Sequence, residues 1–141
     1  MSDEWYTPKA LFDTMDLRFD LDVAAPIGGS PWTGATRFYS VEDDGLAQPL
    51  SGRVWMNPPY SKPSPWIDKW LDHSNGVALL PMAKSRWFNK LVESEAKCVV
   101  LPSNFKFVSP EGKSLSLMMI SSLWALGDDN IKAISKLGKV R

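Results

Sequence analysis

An α/β domain, with a mainly parallel sheet covered by helices on both faces, is the fold this sequence predicts, and three observations predict it. Short apolar runs of strand character alternate along the chain with segments of helical period. One run, Gly76–Leu80, has no polar alternation, which marks a strand buried on both faces. Finally, 141 residues, 44% hydrophobic and 23% charged, suffice for one core without a disulfide or metal staple.

The elements follow in order. Thr7 reads as an N-cap and Pro8 as the first residue of a helix reaching about Asp16. Phe19–Ala24 alternates with period two, a strand closed by the turn-rich stretch from Pro26 to Gly34. Thr36–Ser40 is a shorter strand. Arg53–Met56 is a third, stopped by Pro58 and Pro59 because proline cannot donate to a sheet ladder. Ser64-Pro65 caps a helix with Trp66, Ile67, Trp70 and Leu71 on one face. After Gly76–Leu80, Ser85 caps another, with Trp87, Phe88, Leu91 and Val92 as its apolar stripe. Lys97–Leu101 and Leu115–Ile120 read as strands, with Ser121–Leu126 continuing the latter into a hairpin, and Asn130–Leu137 is a C-terminal helix. No repeat, low-complexity tract or linker divides residues 1–141.

Several classes of protein are set aside by composition. Cys98 is the sole cysteine, which excludes a disulfide framework, a CxxC redox pair and a cysteine-rich zinc site and fits a reducing cytoplasm. The acidic start, Met1 to Trp5, lacks an apolar signal region, and no run approaches a membrane span, so a soluble cytoplasmic protein is expected. The formal net charge of zero hides a polarity. Residues 1–83 carry six Lys/Arg and eleven Asp/Glu, residues 84–141 ten and five. Such asymmetry suits one surface for a cationic ligand and another for phosphates, although scattered solvated lysines give the same sum.

The segment with most chemical content is Val54-Trp55-Met56-Asn57-Pro58-Pro59-Tyr60. It lies just past a buried strand, where α/β sheets place their ligands. The exocyclic amine of adenine is a poor nucleophile because its lone pair is delocalised into the ring. Alkylating it calls for acceptors on both amine hydrogens, which favour a tetrahedral nitrogen with its lone pair aimed at the electrophile. The Asn57 side-chain carbonyl and the Pro58 backbone carbonyl supply such a pair; Pro59 helps stiffen the loop, and Tyr60 offers a face for an extruded base. Taken alone, the tetrapeptide is equally a rigid surface turn.

In their spacing, Trp5-Tyr6-Thr7-Pro8, Leu21-Asp22-Val23-Ala24-Ala25, Asp43-Asp44-Gly45-Leu46, Asn57-Pro58-Pro59-Tyr60, Leu80-Pro81-Met82-Ala83 and Asn104-Phe105-Lys106-Phe107 resemble the phage and prophage DNA N6-adenine methyltransferases of the Dam-like group. The resemblance implies a minimal Rossmann-like class I methyltransferase domain, encoded by a phage or prophage, acting on a flipped adenine of DNA with S-adenosyl-L-methionine. It implies catalytic roles for Asn57, Pro58, Pro59 and Tyr60. It places Asp22 near the ammonium of the methionine part of the cofactor, and Asp43 or Asp44 on the ribose hydroxyls. Tyr6, Thr7 and Pro8 would lie beside the cofactor. Each has a plainer alternative: a loop-capping Asp22, an Asx turn before Gly45, a helix-capping Thr7. The family's Phe-x-Gly-x-Gly loop is replaced by Ala24-Ala25-Pro26-Ile27-Gly28-Gly29, which permits less close backbone approach at Ala24 and Ala25.

Direct displacement at a sulfonium methyl needs no metal, covalent nucleophile or strong base, which leaves Cys98 and His73 without a part. His73 reads as a surface residue, Trp66, Trp70 and Trp87 as core, and Lys132, Lys136, Lys139 and Arg141 as a solvated helix face; Trp5 and Trp32 fall in segments that border the site. Neither the interval from Asp22 to Asn57 nor the stretch after Asn57 leaves room for a separate target-recognition domain, so target specificity is expected to be short or relaxed, or supplied by loops or a second subunit. Two alternatives remain on sequence: a methyltransferase for protein glutamine or for guanine amines of RNA, and an inactive methyltransferase-like subunit that only binds nucleic acid.

Overall fold

The computed structural model describes residues 6–109, 111–115 and 120–141. Its elements are α1 (Lys9–Met15), β1 (Leu21–Asp22), β2 (Arg37–Phe38), β3 (Val54–Met56), α2 (Ser64–His73), β4 (Gly76–Pro81), α3 (Arg86–Glu93), β5 (Lys97–Val100), β6 (Phe107–Val108), β7 (Ser114–Leu115), β8 (Ser121–Leu126) and α4 (Asp128–Ile134). Six strands form one sheet in the order β2-β1-β3-β4-β8-β5, and β6 pairs with β7 separately. The β2-β1, β1-β3 and β3-β4 pairings are parallel, whereas β8 lies antiparallel between β4 and β5. Every strand of the large sheet except β8 therefore runs the same way.

Alternate side chains send the sheet into two cores. Trp55, Val77, Leu79, Val99, Leu123 and Ala125 join Leu11, Phe12 and Met15 of α1 and Ala133 and Ile134 of α4. Val54, Met56, Ala78, Leu80, Trp124 and Leu126 join Ile67 and Trp70 of α2 and Leu91 of α3. Helices thus cover both faces, two on each. All six residues of β4 and of β8 are buried, so the continuous apolar pattern of Gly76–Leu80 reflects its central place.

The expected hairpin of Leu115–Ile120 with Ser121–Leu126 does not form. Ser114–Leu115 pairs with Phe107–Val108, and the two edges of Ser121–Leu126 are taken by β4 and β5; residues 116–119 of that expectation lie outside the described set. Burial of β8 is compatible with its serines because Ser122 Oγ donates to the Leu80 carbonyl at 3.0 Å and accepts from Trp124 Nε1 at 2.8 Å.

Other boundaries shift for local reasons. Pro8 occupies the N-cap of α1 with extended backbone, and Thr7 makes no cap. Ser64 is itself the first residue of α2 and does not cap it; Pro63 precedes it. Ser85 does cap α3, accepting from the Phe88 N–H at 3.4 Å. Val92 falls outside the stripe, 59% exposed, while Leu91 is buried. Regular β1 is only two residues, yet bonds from Asp20 N to Arg53 O, Val23 N to Trp55 O and Ala25 N to Tyr39 O carry the extended path from Asp20 to Ala25. α4 starts before Asn130, which is buried and bonded to Arg53 Nε, Asn75 Oδ1 and Leu126 O. His73 is half-buried, its Nε2 2.7 Å from Gly52 O, rather than a plain surface residue.

Candidate functional site

Three neighbouring parallel strands, β1, β2 and β3, end at the same edge of the sheet, and the chain segments leaving them enclose a cavity of about 580 Å3. Tyr6 and Thr7 close one side of it and Trp66 of α2 another. Eight expected site residues line it: Tyr6, Thr7, Asp22, Ala24, Ala25, Asp44, Asn57 and Pro59. Pro8, Asp43, Pro58 and Tyr60 do not.

Asn57 is the residue immediately beyond β3, where Pro58 and Pro59 end the ladder. Its Nδ2 donates to Thr7 Oγ1 at 3.5 Å, although fifty residues separate the two in sequence. Thr7 is 2% exposed, so the helix-capping alternative gives way to a contact inside the site. The arm that carries Thr7 is held in turn by Tyr6, which exchanges backbone hydrogen bonds with Val108 at 2.8 and 2.9 Å. This long contact turns the amide nitrogen of Asn57 toward Thr7, and Oδ1 is the acceptor end of the side chain.

Pro58 is buried beneath this turn. Tyr60 stands behind it: its hydroxyl donates to the Leu79 carbonyl at 3.3 Å, and its ring meets Phe107 edge-on at 6.4 Å, with Phe105 next at 5.1 Å from Phe107. Burial pushes the Tyr60 phenol well above the ordinary tyrosine range. The Asn104–Phe107 segment therefore serves as an aromatic buttress for the Asn-Pro-Pro turn.

Asp22 is the ionisable group whose surroundings are most unusual. It is 2% exposed, its Oδ1 has no hydrogen-bond partner among the described residues, and it lines the cavity. Desolvation raises its pKa from 3.8 to about 7, opposed by a hydrogen bond from the Ala24 N–H. An orphaned buried carboxylate oxygen in a cavity whose lining, among the described residues, has no Lys, Arg or His fits a cationic ligand group.

Asp43 and Asp44 divide. The Asp43 Oδ2 accepts from the Ser40 N–H at 2.9 Å and from its hydroxyl at 3.3 Å, closing the local turn. Asp44, exposed and left-handed at φ 54, lines the cavity. Gly45 follows it, buried against the Val23 carbonyl and the Trp66 indole, where a Cβ would collide with the carbonyl. On the opposite side, the turn Pro26–Gly29 is closed by Gly29 N to Pro26 O, with Gly28 and Gly29 at φ 90 and 93. Positive-φ glycines thus stand at 28 and 29, beyond Ala24 and Ala25.

Some lining residues were not anticipated. Trp66, read as core from its helical spacing, is half-buried and turned to the cavity, and Ile27 and Val41 form apolar lips 60% and 81% exposed. The proximity of Trp66 to Asp-Asp-Gly was legible only through the Gly45 contact, and no pattern announced Ile27 or Val41. Trp32 packs with the α1-side core, and Trp5 lies outside the described residues. Cys98 is buried in β5, its thiol pushed up by burial and drawn down by Arg141. Among the described residues there is no metal-binding cluster of three or more His, Cys, Asp or Glu, and no helix long and apolar enough to cross a membrane.

Fold and cavity together define an α/β protein with a cavity at the carboxyl ends of its parallel strands, where α/β sheets place their ligands, lined by Asp22 and Asp44 and bordered by an Asn-Pro-Pro-Tyr turn. The chain belongs to the DNA N-6-adenine-methyltransferase (Dam) family, which it matches over residues 1–118. A DNA N-6-adenine-methyltransferase of Escherichia phage T1 is 31% identical over 107 residues, covering 69% of this chain and 44% of the phage protein. A DNA N-6-adenine-methyltransferase of Haemophilus phage HP1 is 29% identical over 121 residues, covering 77% of this chain and 68% of that protein. The chain thus matches less than half of the T1 protein. No solved structure is a significant match.

Proposed function

We propose that this chain transfers a methyl group from S-adenosyl-L-methionine to the N6 amine of adenine in DNA, on a Rossmann-like methyltransferase domain. The observation that carries the reading is the juxtaposition, in one cavity, of the Asp22 carboxylate, whose Oδ1 has no partner among the described residues, and the Asn57 amide in contact with Thr7. Family membership and the names of the phage relatives support it.

When bound, S-adenosyl-L-methionine supplies an electrophilic methyl group on a cationic sulfur that leaves as a neutral thioether. Asp22 would hold its ammonium group and Asp44 its ribose hydroxyls, with Ala24 and Ala25 along its length and the Trp66 indole as an aromatic wall. Asn57 Oδ1 and the Pro58 carbonyl would accept the two amine hydrogens of a flipped adenine and orient its lone pair. Thr7 holds the amide in the orientation this demands, and the diproline keeps the acceptors from having to reorganise. Tyr60 stiffens the turn from behind, and a stacking role toward the base uses whatever ring face the buttress leaves open. The surplus amine proton passes to water, so the protein need provide no strong base.

The test is incubation with methyl-labelled S-adenosyl-L-methionine and, separately, DNA, RNA and a glutamine-containing protein. Label entering DNA adenine supports the proposal. Label entering only RNA guanine or protein, or binding of nucleic acid with no transfer, overturns it.

A further inference from the structure

Resting on the DNA reading above, we infer that the duplex backbone is held by a cationic band, Lys62, Lys84, Arg86, Lys106 and Lys113, lying on the β3-β4-β5 side of the cavity. Topology brings these residues together. β3, β4 and β5 share one direction, so the segments following them, which carry Lys62, Lys84 with Arg86, and Lys106 with Lys113, leave the sheet at the edge where Asn57 stands. All five cations are exposed, and none is in an ion pair among the described residues, where the bridges are Lys9–Asp13 and Lys90–Asp68. Glu111 is the one acidic residue of these segments, 57–63, 82–86 and 101–115.

The other half of the same edge has the opposite sign. Residues 23–36, after β1, carry no charge, and the segment after β2 carries Glu42, Asp43 and Asp44. Asn57 therefore stands where an acidic cavity for a cationic ligand meets a basic shelf. A polyanion is repelled from the first and attracted to the second, which delivers a base to the Asn-Pro-Pro turn from the β4-β5 side. Lys106 lies between Phe105 and Phe107, the aromatic pair buttressing Tyr60, which ties the shelf mechanically to the turn.

The basic excess of residues 84–141 is not all on this edge. Lys132 and Lys136 follow β8, which runs the other way, and Lys136 Nζ reaches the Met15 carbonyl at the far end of α1. Lys97 opens β5 at the end of the sheet away from Asn57. These three lie off the band and provide a control of equal charge.

The experiment compares three proteins binding a fluorescent DNA duplex across a salt series: wild type, the triple variant Lys84→Ala, Arg86→Ala, Lys106→Ala, and the triple variant Lys97→Ala, Lys132→Ala, Lys136→Ala. Each phosphate contact contributes about 0.9 to the slope of log affinity against log salt, so the first variant is expected to lose about 2 to 3 from the slope and at least tenfold in affinity. The second is expected to match wild type. Unaltered cofactor affinity and thermal stability in both variants certify folding. A first variant equal to wild type, or equal losses in both, overturns the band while leaving DNA methylation standing. Wild type that neither methylates DNA nor binds it in a salt-dependent way overturns the DNA reading and the band with it.

Discussion

Asn57 Nδ2 donates to the buried hydroxyl of Thr7 at 3.5 Å, joining the turn after β3 to an N-terminal arm pinned by Val108. This relationship gives the acceptor amide a fixed sense. Thr7→Val, nearly isosteric but without the hydroxyl, is expected to lower kcat about five- to tenfold with little change in the KM for cofactor, the cost of about one hydrogen bond. Thr7→Ser restores the hydroxyl and is expected to retain most of the activity. Steady-state kinetics decide the matter: a loss confined to KM would make Thr7 a ligand contact instead.

Asp22 is expected to tie ligand binding to pH. Because its folded-state pKa is raised from 3.8 to about 7, the folded protein without ligand keeps a proton that the unfolded chain releases between those values. Its contribution to stability is therefore most favourable at low pH and is lost as pH rises through about 7. A cationic ligand group favours the ionised form, so cofactor affinity is expected to rise from about pH 6 to pH 8 with release of a proton. Asp22→Asn is expected to remove that dependence, flatten the stability profile between the unfolded and folded pKa values of Asp22, 3.8 and about 7, and weaken binding at least tenfold. Calorimetry in two buffers of different ionisation enthalpy reads the proton directly.

Gly45 fixes the distance between the loop after β2 and α2. A methyl group there meets the Val23 carbonyl and brings Trp66 atoms within 3.1 Å, so Gly45→Ala is expected to cost about 2 kcal/mol of stability. The expected signature is a lower denaturant midpoint with an unchanged slope. Unaltered stability would mean that Trp66 yields freely.

Tyr60 separates scaffold from chemistry. Its phenol stays protonated across the working pH range, so Tyr60→Phe is expected to lose about 1 kcal/mol from the bond to Leu79 while methyl transfer persists with no change in its alkaline limb. Tyr60→Ala empties the position against Phe107 and is expected to depress kcat severely. Loss of transfer in the Phe variant would assign the hydroxyl a direct role.

Much of the architecture was legible because it rests on local chemistry. Gly76–Leu80 read as a doubly buried strand from its unbroken apolar run, and Ser85 as a cap from its place before an apolar stripe; both hold. Asn57 stands at the strand end where Pro58 and Pro59 must stop the ladder. What escaped reading is non-local. Thr7 looks like an ordinary cap until the fold sets it against a residue fifty positions away. Ser121–Leu126 looks like the second arm of a hairpin, and only the need of β4 and β5 for a common antiparallel neighbour puts it in the sheet. Trp66 has the spacing of a core residue, and its turn toward the cavity depends on the absence of a side chain at Gly45.

The central claim is that Asn57 directs methyl transfer to the adenine amine of DNA. Its most direct measurement is nucleoside analysis of DNA incubated with S-adenosyl-L-methionine and either wild-type protein or Asn57→Ala. N6-methyl-2′-deoxyadenosine is expected from the wild type and about 100- to 1000-fold less from the variant, with cofactor affinity unchanged. Equal yields from both proteins, or a methylated product other than N6-methyl-2′-deoxyadenosine, would contradict it.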